Sequence, residues 1–210
     1  MQSPAMTPST ACEELSARDA RLKLLIEKFG IAELRIGQDP FEALVRSIVS
    51  QQISWKAARK IFERFLALFP ETDFPTPQKL AAADLLELRG AGLSQRKAEY
   101  VIGIGWAFSE EGFEAVDFHN LSDDDVSRKL TEIRGVGQWT VDMLMLFTLG
   151  RMDILPLTDL GIKKGIQQFF DLDTLPDAEK MIELTEHWRP YRSIASWYMW
   201  KIVDEGFEWG

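Results

Sequence analysis

Two stretches of the chain repeat one pattern: LLELRGAGLSQRKAEYVIGIG from Leu85 is echoed by LTEIRGVGQWTVDMLMLFTLG from Leu130, with Gly90 and Gly92 recurring as Gly135 and Gly137. Each copy reads as an apolar helix, a tight turn of apolar-Arg-Gly-small-Gly, and a second helix. Two copies are too few to stack as a solenoid. The pattern therefore predicts two αα-hairpins inside a helical domain. In the second copy, IRGVGQWT at residues 133 to 140, Gly135 and Gly137 permit backbone angles that a side chain would forbid and let another backbone approach closely. The next helix starts at once. Its first amides have no partner within the helix and carry the positive end of the dipole, so Gly135, Val136, Gly137, Gln138 and Thr140 are candidates for holding a phosphate without any lysine. A glycine pair that only closes a helix is the plain alternative.

Helical periodicity continues on both sides of the repeat. Phe41, Leu44, Val45, Ile48, Val49 and Ile53 recur at helical spacing behind Asp39 as N-cap and Pro40 at the first helical position. Trp55, Ala58, Ile61, Phe62, Phe65, Leu66 and Phe69 form the next apolar stripe, with Lys56, Arg59, Lys60 and Arg64 away from it. Thr76 with Pro77, then Ser94, Ser122 and Pro176, open further helices. No segment alternates with a period of two, so the predicted fold class is all-α, with about ten helices on short loops. At 210 residues and 46% apolar, the chain can bury a full core. Residues 1–12, rich in Ser, Thr, Pro and Ala, read as a mobile leader.

Several function classes are excluded. The only cysteine, Cys12, permits no intrachain disulfide, cysteine-ligated cluster or zinc knuckle, and two histidines, His119 and His187, argue against a metal site built from side chains. No apolar run approaches the roughly 20 residues of a membrane helix, and the N-terminus has no signal-peptide pattern. The expectation is a soluble, cytoplasmic protein. A net charge of −9 opposes extensive nonspecific coating of nucleic acid, since phosphate neutralisation supplies most of that affinity. A hairpin that binds phosphate through backbone amides is compatible with an acidic chain.

Beyond the hairpin, the chain resembles a known family. The stretch from Leu130 to Lys164, with the hairpin, the aromatic-rich helix after it and the segment LPLTDLGIKKG, is similar to the helix-hairpin-helix (HhH-GPD) DNA glycosylases, and within them to the 3-methyladenine DNA glycosylase II type. The resemblance extends to DPFEALVRSIVSQQIS, TPQKLAAAD and WRPYRSIASWYMW, from about residue 39 to 202. It implies a two-lobed helical fold, with 34–151 as a central helical lobe containing the hairpin, 13–33 plus 152–210 as a second helical lobe carrying the catalytic Asp, and a DNA-binding cleft between the lobes. Monofunctional hydrolysis of the N-glycosidic bond of alkylated purines such as 3-methyladenine and 7-methylguanine is implied as the activity. The partner implied is duplex DNA containing alkylated bases, with no membrane and no obligate protein partner, and the location is nucleoid-associated in a bacterium. No cofactor is required; a structural monovalent cation, Na or K, is implied on the backbone carbonyls of Thr131, Ile133 and Val136. Larger bacterial members carry an additional N-terminal domain for which this chain has no room, and Thr158 precedes Asp159 where an acid is common.

On the same resemblance Asp159 takes the position of the catalytic carboxylate. Breaking an N-glycosidic bond builds positive charge on the sugar, which a fixed anion in a poorly hydrated cleft stabilises. The alternative is that Asp159 only caps the helix containing Ile162, Ile166 and Phe169. A base inside a duplex must be flipped into a pocket before its sugar is attacked, and an electron-poor alkylated purine gains a cation–π term on tryptophan. Trp200 and Trp139 fall at aromatic positions of the family and Met143 replaces an aromatic one; as core residues all three would be unexceptional. The gap left by the base needs a plug, for which Gln51 and Gln52 of SQQIS are candidates, an interhelical turn being the alternative. The run in SDDDVSRKL reads as acids in a first helical turn behind Ser122, and His119 is given no chemistry.

Two rival readings stay open. A noncatalytic helix-hairpin-helix module that recognises DNA structure would need neither Asp159 nor a tryptophan-lined pocket. A helical protein-interaction scaffold would show no salt-dependent DNA binding.

Overall fold

The computed structural model describes residues 7–34, 37 and 39–205. Its α-helices are, in chain order, α1 Pro8–Arg18, α2 Ala20–Phe29, α3 Pro40–Ser50, α4 Trp55–Ala67, α5 Pro77–Ala81, α6 Leu85–Gly90, α7 Gln95–Glu110, α8 Asp123–Thr131, α9 Gln138–Phe147, α10 Leu160–Phe169, α11 Ala178–Thr185 and α12 Arg192–Glu205. Short 3-10 turns lie at Phe113–Ala115 and Glu186–Trp188. There is no strand among the described residues, so the fold is all-α as the sequence predicts. The chain divides into two compact units, Gly37–Leu144, and Met1–Ile36 with Met145–Gly210. The division falls within α9 rather than after Arg151, and Phe147 at the end of α9 stacks on Trp200 of its own unit.

In the unit Gly37–Leu144, local rules set the helix starts. Asp39 accepts a hydrogen bond from the Glu42 amide at 3.0 Å, with Pro40 at the first helical position. Ser54, Thr76, Asp84, Ser94 and Ser122 cap α4 to α8 in the same way. Asp123, Asp124 and Asp125 accordingly occupy the first turn of α8, where acids oppose the dipole. Phe41, Leu44, Ile48, Phe65, Leu80, Val101 and Ile104 are buried here. α5 crosses α7 closely at Gly105, where a β-carbon would come 2.5 Å from the Ala81 amide nitrogen.

In the other unit, Leu15, Leu22, Leu25, Ile162, Ile166, Phe169, Trp188, Tyr198 and Ile202 form one core. Asp19, between α1 and α2, accepts from the Arg21 and Leu22 amides through Oδ1 and from Trp188 Nε1 through Oδ2; His187 Nε2 lies 2.9 Å from the same Oδ2. Burial pushes this carboxyl up, but the hydrogen bonds from Trp188, His187 and the two amides outweigh it and hold Asp19 below the ordinary carboxylate value.

Residues 8–12 correct the expectation of a mobile leader, residues 1–6 of which lie outside the described residues. They begin α1, capped by Thr7, and Ala11 and Cys12 are buried. The Cys12 sulfur lies 3.2 Å from the Tyr198 hydroxyl, which donates to the Gly30 carbonyl at 2.7 Å. Small residues that read as a loose segment instead serve as a close-packing helix face. Likewise α11 is capped by Asp177 and begins at Ala178, with Pro176 just outside it.

Candidate functional site

The hairpin after α8 turns through two glycines that differ in kind. Gly135 has φ +94°, which a side chain rarely adopts, and a β-carbon there would lie 2.3 Å from Cγ of the Tyr100 ring. Gly137 has no left-handed backbone, and a β-carbon there would meet nothing within 4 Å. The expectation that both glycines supply forbidden angles is therefore corrected: Gly135 makes the turn, and Gly137 leaves its outer side open. In the first copy the left-handed residue is Gly92, at φ +109°, while Gly90 closes α6. Glycines that align in sequence thus play different parts, because α6 runs on through Gly90 whereas α8 stops at Thr131.

Backbone bonds tighten the turn. The Ile133 amide donates to Leu130 O, the Val136 amide to Ile133 O at 3.0 Å, and the Val141 amide to Gly137 O. The side chain of Gln138 is exposed but already bonded: it accepts from Ser127 Oγ at 2.6 Å and donates to Asp142 Oδ1 at 2.8 Å. Thr140 is buried, and its hydroxyl accepts from Gln51 Nε2 at 3.2 Å. With its hydroxyl buried and engaged, what Thr140 offers a ligand is its backbone.

The turn between α3 and α4 sits beside the hairpin. Lys97 of α7 donates from Nζ to the carbonyls of Val49 at 2.9 Å and Gln51 at 2.6 Å, and burial pushes this ammonium down from its ordinary pKa. Gln52 is exposed and left-handed at φ +56°, uncommon for a residue with a side chain. Ser50, Gln51, Gln52, Gly135, Gly137, Trp139 and Thr140 line one open cleft of about 460 Å³. Trp139 is 39% exposed on it. Met143, one turn further along α9, is half-buried and forms none of its walls.

In the other unit Asp159 caps α10. Its Oδ1 accepts from the Ile162 amide at 2.8 Å and from Trp200 Nε1 at 3.0 Å. The capping alternative is thus realised, and a cap with an indole bonded to the same oxygen is also an oriented carboxylate. Trp200 stacks on Phe147 with ring centroids 5.8 Å apart. A β-carbon on Gly161 would come 2.9 Å from Trp200 Cδ1 and 3.0 Å from Asp159 Oδ1. Further back, the buried Arg192 binds the Asp153 carboxylate at 2.8 and 3.0 Å and its carbonyl at 3.0 Å. Ser193 donates to Arg151 O and accepts from the Ile154 amide. These bonds fasten the strand of loop leading to Asp159 onto the start of α12.

Sequence reasoning missed Gly161, Phe147, Lys97 and the Arg192–Asp153 pair as parts of these sites. A glycine at the second helical position, where no turn calls for it, was the available signal for Gly161. The other three act through contacts distant in sequence and leave no local pattern.

Among the described residues no three His, Cys, Asp or Glu side chains converge to hold a metal ion, and no helix is long and apolar enough to cross a membrane.

The family model described as HhH-GPD superfamily base excision DNA repair protein matches residues 45–190, a span that takes in the hairpin, Asp153 and Asp159. The chain belongs to that superfamily. A Bacillus subtilis protein named putative DNA-3-methyladenine glycosylase YfjP is 31% identical over 188 residues, 87% of this chain and 66% of its own length. The alkylbase DNA glycosidase-like protein mag2 of Schizosaccharomyces pombe is 32% identical over 194 residues, 90% of this chain and 91% of its own. The structure of Schizosaccharomyces pombe 3-methyladenine DNA glycosylase (Mag1) in complex with abasic DNA superposes with a TM-score of 0.79 at 33% identity, covering 93% of this chain and 97% of that one.

Proposed function

We propose that this HhH-GPD protein is a monofunctional DNA glycosylase that hydrolyses the N-glycosidic bond of alkylated purines in duplex DNA. The observation that carries the reading is the Asp159 carboxylate, held by two N–H donors on one oxygen beside a stacked tryptophan. A carboxylate fixed in this way needs no reorganisation as positive charge develops on the sugar. The names of the relatives support alkylated purines as the substrate class.

The other parts of the reading follow from chemistry. The open side of Gly137 and the start of α9 suit a phosphate. Gln52, exposed on a left-handed turn that Lys97 holds from behind, suits the space a flipped base leaves. Trp200, beside the Asp159 carboxylate, and Trp139, exposed on the cleft by the hairpin, are the aromatic candidates for stacking on an incoming base. The carbonyls of Thr131, Ile133 and Val136 are neutral oxygens on a tight turn, a donor set that fits a hard monovalent cation, although Ile133 O already accepts the Val136 amide. Such an ion would add positive charge at the phosphate site.

Bifunctional members of this superfamily form a Schiff base from a lysine two residues after the second hairpin glycine, where this chain has Trp139. The test is incubation with randomly methylated DNA, with chromatographic identification of the released bases and gel analysis of the strand. Free alkylated purine from an uncut strand, with no borohydride-trapped adduct, is expected. Persistent DNA binding without any free base would favour the noncatalytic module, and a trapped adduct would refute the monofunctional assignment.

A further inference from the structure

The missing side chain of Gly161 has no backbone explanation. It is the second residue of α10, does not have a positive φ, and glycine is a poor helix former. What the position requires is space: a methyl group would press on Trp200 Cδ1 at 2.9 Å, Asp159 Oδ1 at 3.0 Å and Trp200 Nε1 at 3.1 Å. Contacts that short are not tolerated without displacing one partner.

We propose that Trp200 is a positioning residue for the Asp159 carboxylate, acting through its indole N–H, and that Gly161 is the gap that lets the two groups meet. This rests on the reading of Asp159 as catalytic, and it gives Trp200 a role separate from that of a wall against the base. A helix cap needs only the amide bond, which Ile162 supplies. The second donor comes from a different helix and turns a local cap into a carboxylate fixed in direction. An indole N–H donates and never accepts, so it has nothing to offer except to an acceptor oxygen. Phe147, stacked on Trp200 at 29° between ring planes, fixes the ring in the orientation that points Nε1 at Oδ1. At the back of α10 a second glycine, Gly165, brings the same two helices together, since a β-carbon there would lie 2.4 Å from the Met199 carbonyl oxygen. α10 and α12 are thus drawn close enough for a side-chain bond of 3.0 Å across them.

The experiment compares Trp200→Phe, Gly161→Ala, the double variant and Asp159→Asn with the parent protein. Single-turnover excision is measured on a duplex carrying one 7-methylguanine, and equilibrium affinity on the same duplex made cleavage-resistant by a 2′-fluorinated sugar. Trp200→Phe keeps an aromatic face and loses the donor; Gly161→Ala keeps both side chains and separates them. Each should slow excision by about tenfold to a hundredfold, the scale of one charge-assisted hydrogen bond, with affinity changed by no more than about threefold. Because both remove one bond, the double variant should be no slower than Trp200→Phe by more than about twofold. Losses that multiply in the double variant, or single variants that excise at the parental rate, would overturn the proposal. Should Gly161→Ala fail to fold, Trp200→His, which retains a ring N–H, is expected to excise faster than Trp200→Phe; equal rates would overturn the proposal. Asp159→Asn separates the two levels. If it excises like the parent, the catalytic reading itself fails; if it is inactive while Trp200→Phe is unimpaired, only the positioning role fails.

Discussion

Gly135 lies beneath the Tyr100 ring so closely that a single added β-carbon would stand 2.3 Å from Tyr100 Cγ, and its left-handed backbone compounds the restriction. Gly137, two residues on, meets nothing within 4 Å. The two positions should therefore respond in opposite ways to substitution. Gly135→Ala is expected to cost on the order of 3 kcal/mol of stability, from strain at positive φ and overpacking against the ring. Gly137→Val should melt within a few degrees of the parent yet bind every duplex more weakly, damaged or not, because a phosphate contact positions without reading sequence. Thermal unfolding and filter binding across several duplexes check both. Undiminished affinity of a folded Gly137→Val protein would reduce this glycine to a helix stop.

Lys97→Met tests the support of the Gln51–Gln52 turn. The substitution keeps most of the stem and removes the ammonium from the carbonyls of Val49 and Gln51. A loss of about 1 to 3 kcal/mol is expected, as for hydrogen bonds to a charged group. Faster amide exchange at residues 50–54, read by hydrogen exchange, should accompany it. Unchanged exchange there would mean that the turn holds itself.

Much of this was open to sequence reading, and the misses share one cause. Asp39 with Pro40, Ser94, Ser122 and the turn at Gly135 declare themselves locally, because a cap or a turn satisfies its requirements within a few residues. The catalytic position of Asp159 is what the family resemblance implies, whereas its capping bond to Ile162 is again local. Cys12 reaching Tyr198, Lys97 reaching Gln51, and Gly161 making room for Trp200 depend on packing between distant segments. The repeated glycines misled for a related reason. Glycines that align between the two copies need not share a geometry, because the point at which each preceding helix ends decides which glycine turns the chain.

Asp19, the cap of α2, sets a pH dependence on the stability of the fold around it. Its folded carboxyl lies below the ordinary 3.8, so its ionised form stabilises the fold. That contribution is fully present above the unfolded value and is lost as pH falls through the lower folded value. Asp19→Asn should lower stability at neutral pH and flatten the decline in acid. Melting curves from pH 7 down to about 2 check it, the prediction being that the two proteins converge at the acid end. A constant offset at every pH would place the role of Asp19 in shape rather than charge.

The most direct test of the catalytic account is single-turnover excision by Asp159→Asn, measured together with its affinity for the same alkylated duplex. Asparagine retains nearly the same volume and an oxygen able to accept from the Ile162 amide and Trp200 Nε1, so α10 should keep its cap at a cost of about 1 kcal/mol or less. The oxocarbenium-like sugar needs a full negative charge, which a neutral amide does not supply. Excision should fall by about two to four orders of magnitude, roughly 3 to 5 kcal/mol at the transition state, while affinity holds or rises as repulsion from nearby phosphates is relieved. A folded Asp159→Asn protein excising within about threefold of the parent would contradict the account and leave Asp159 as a helix cap alone.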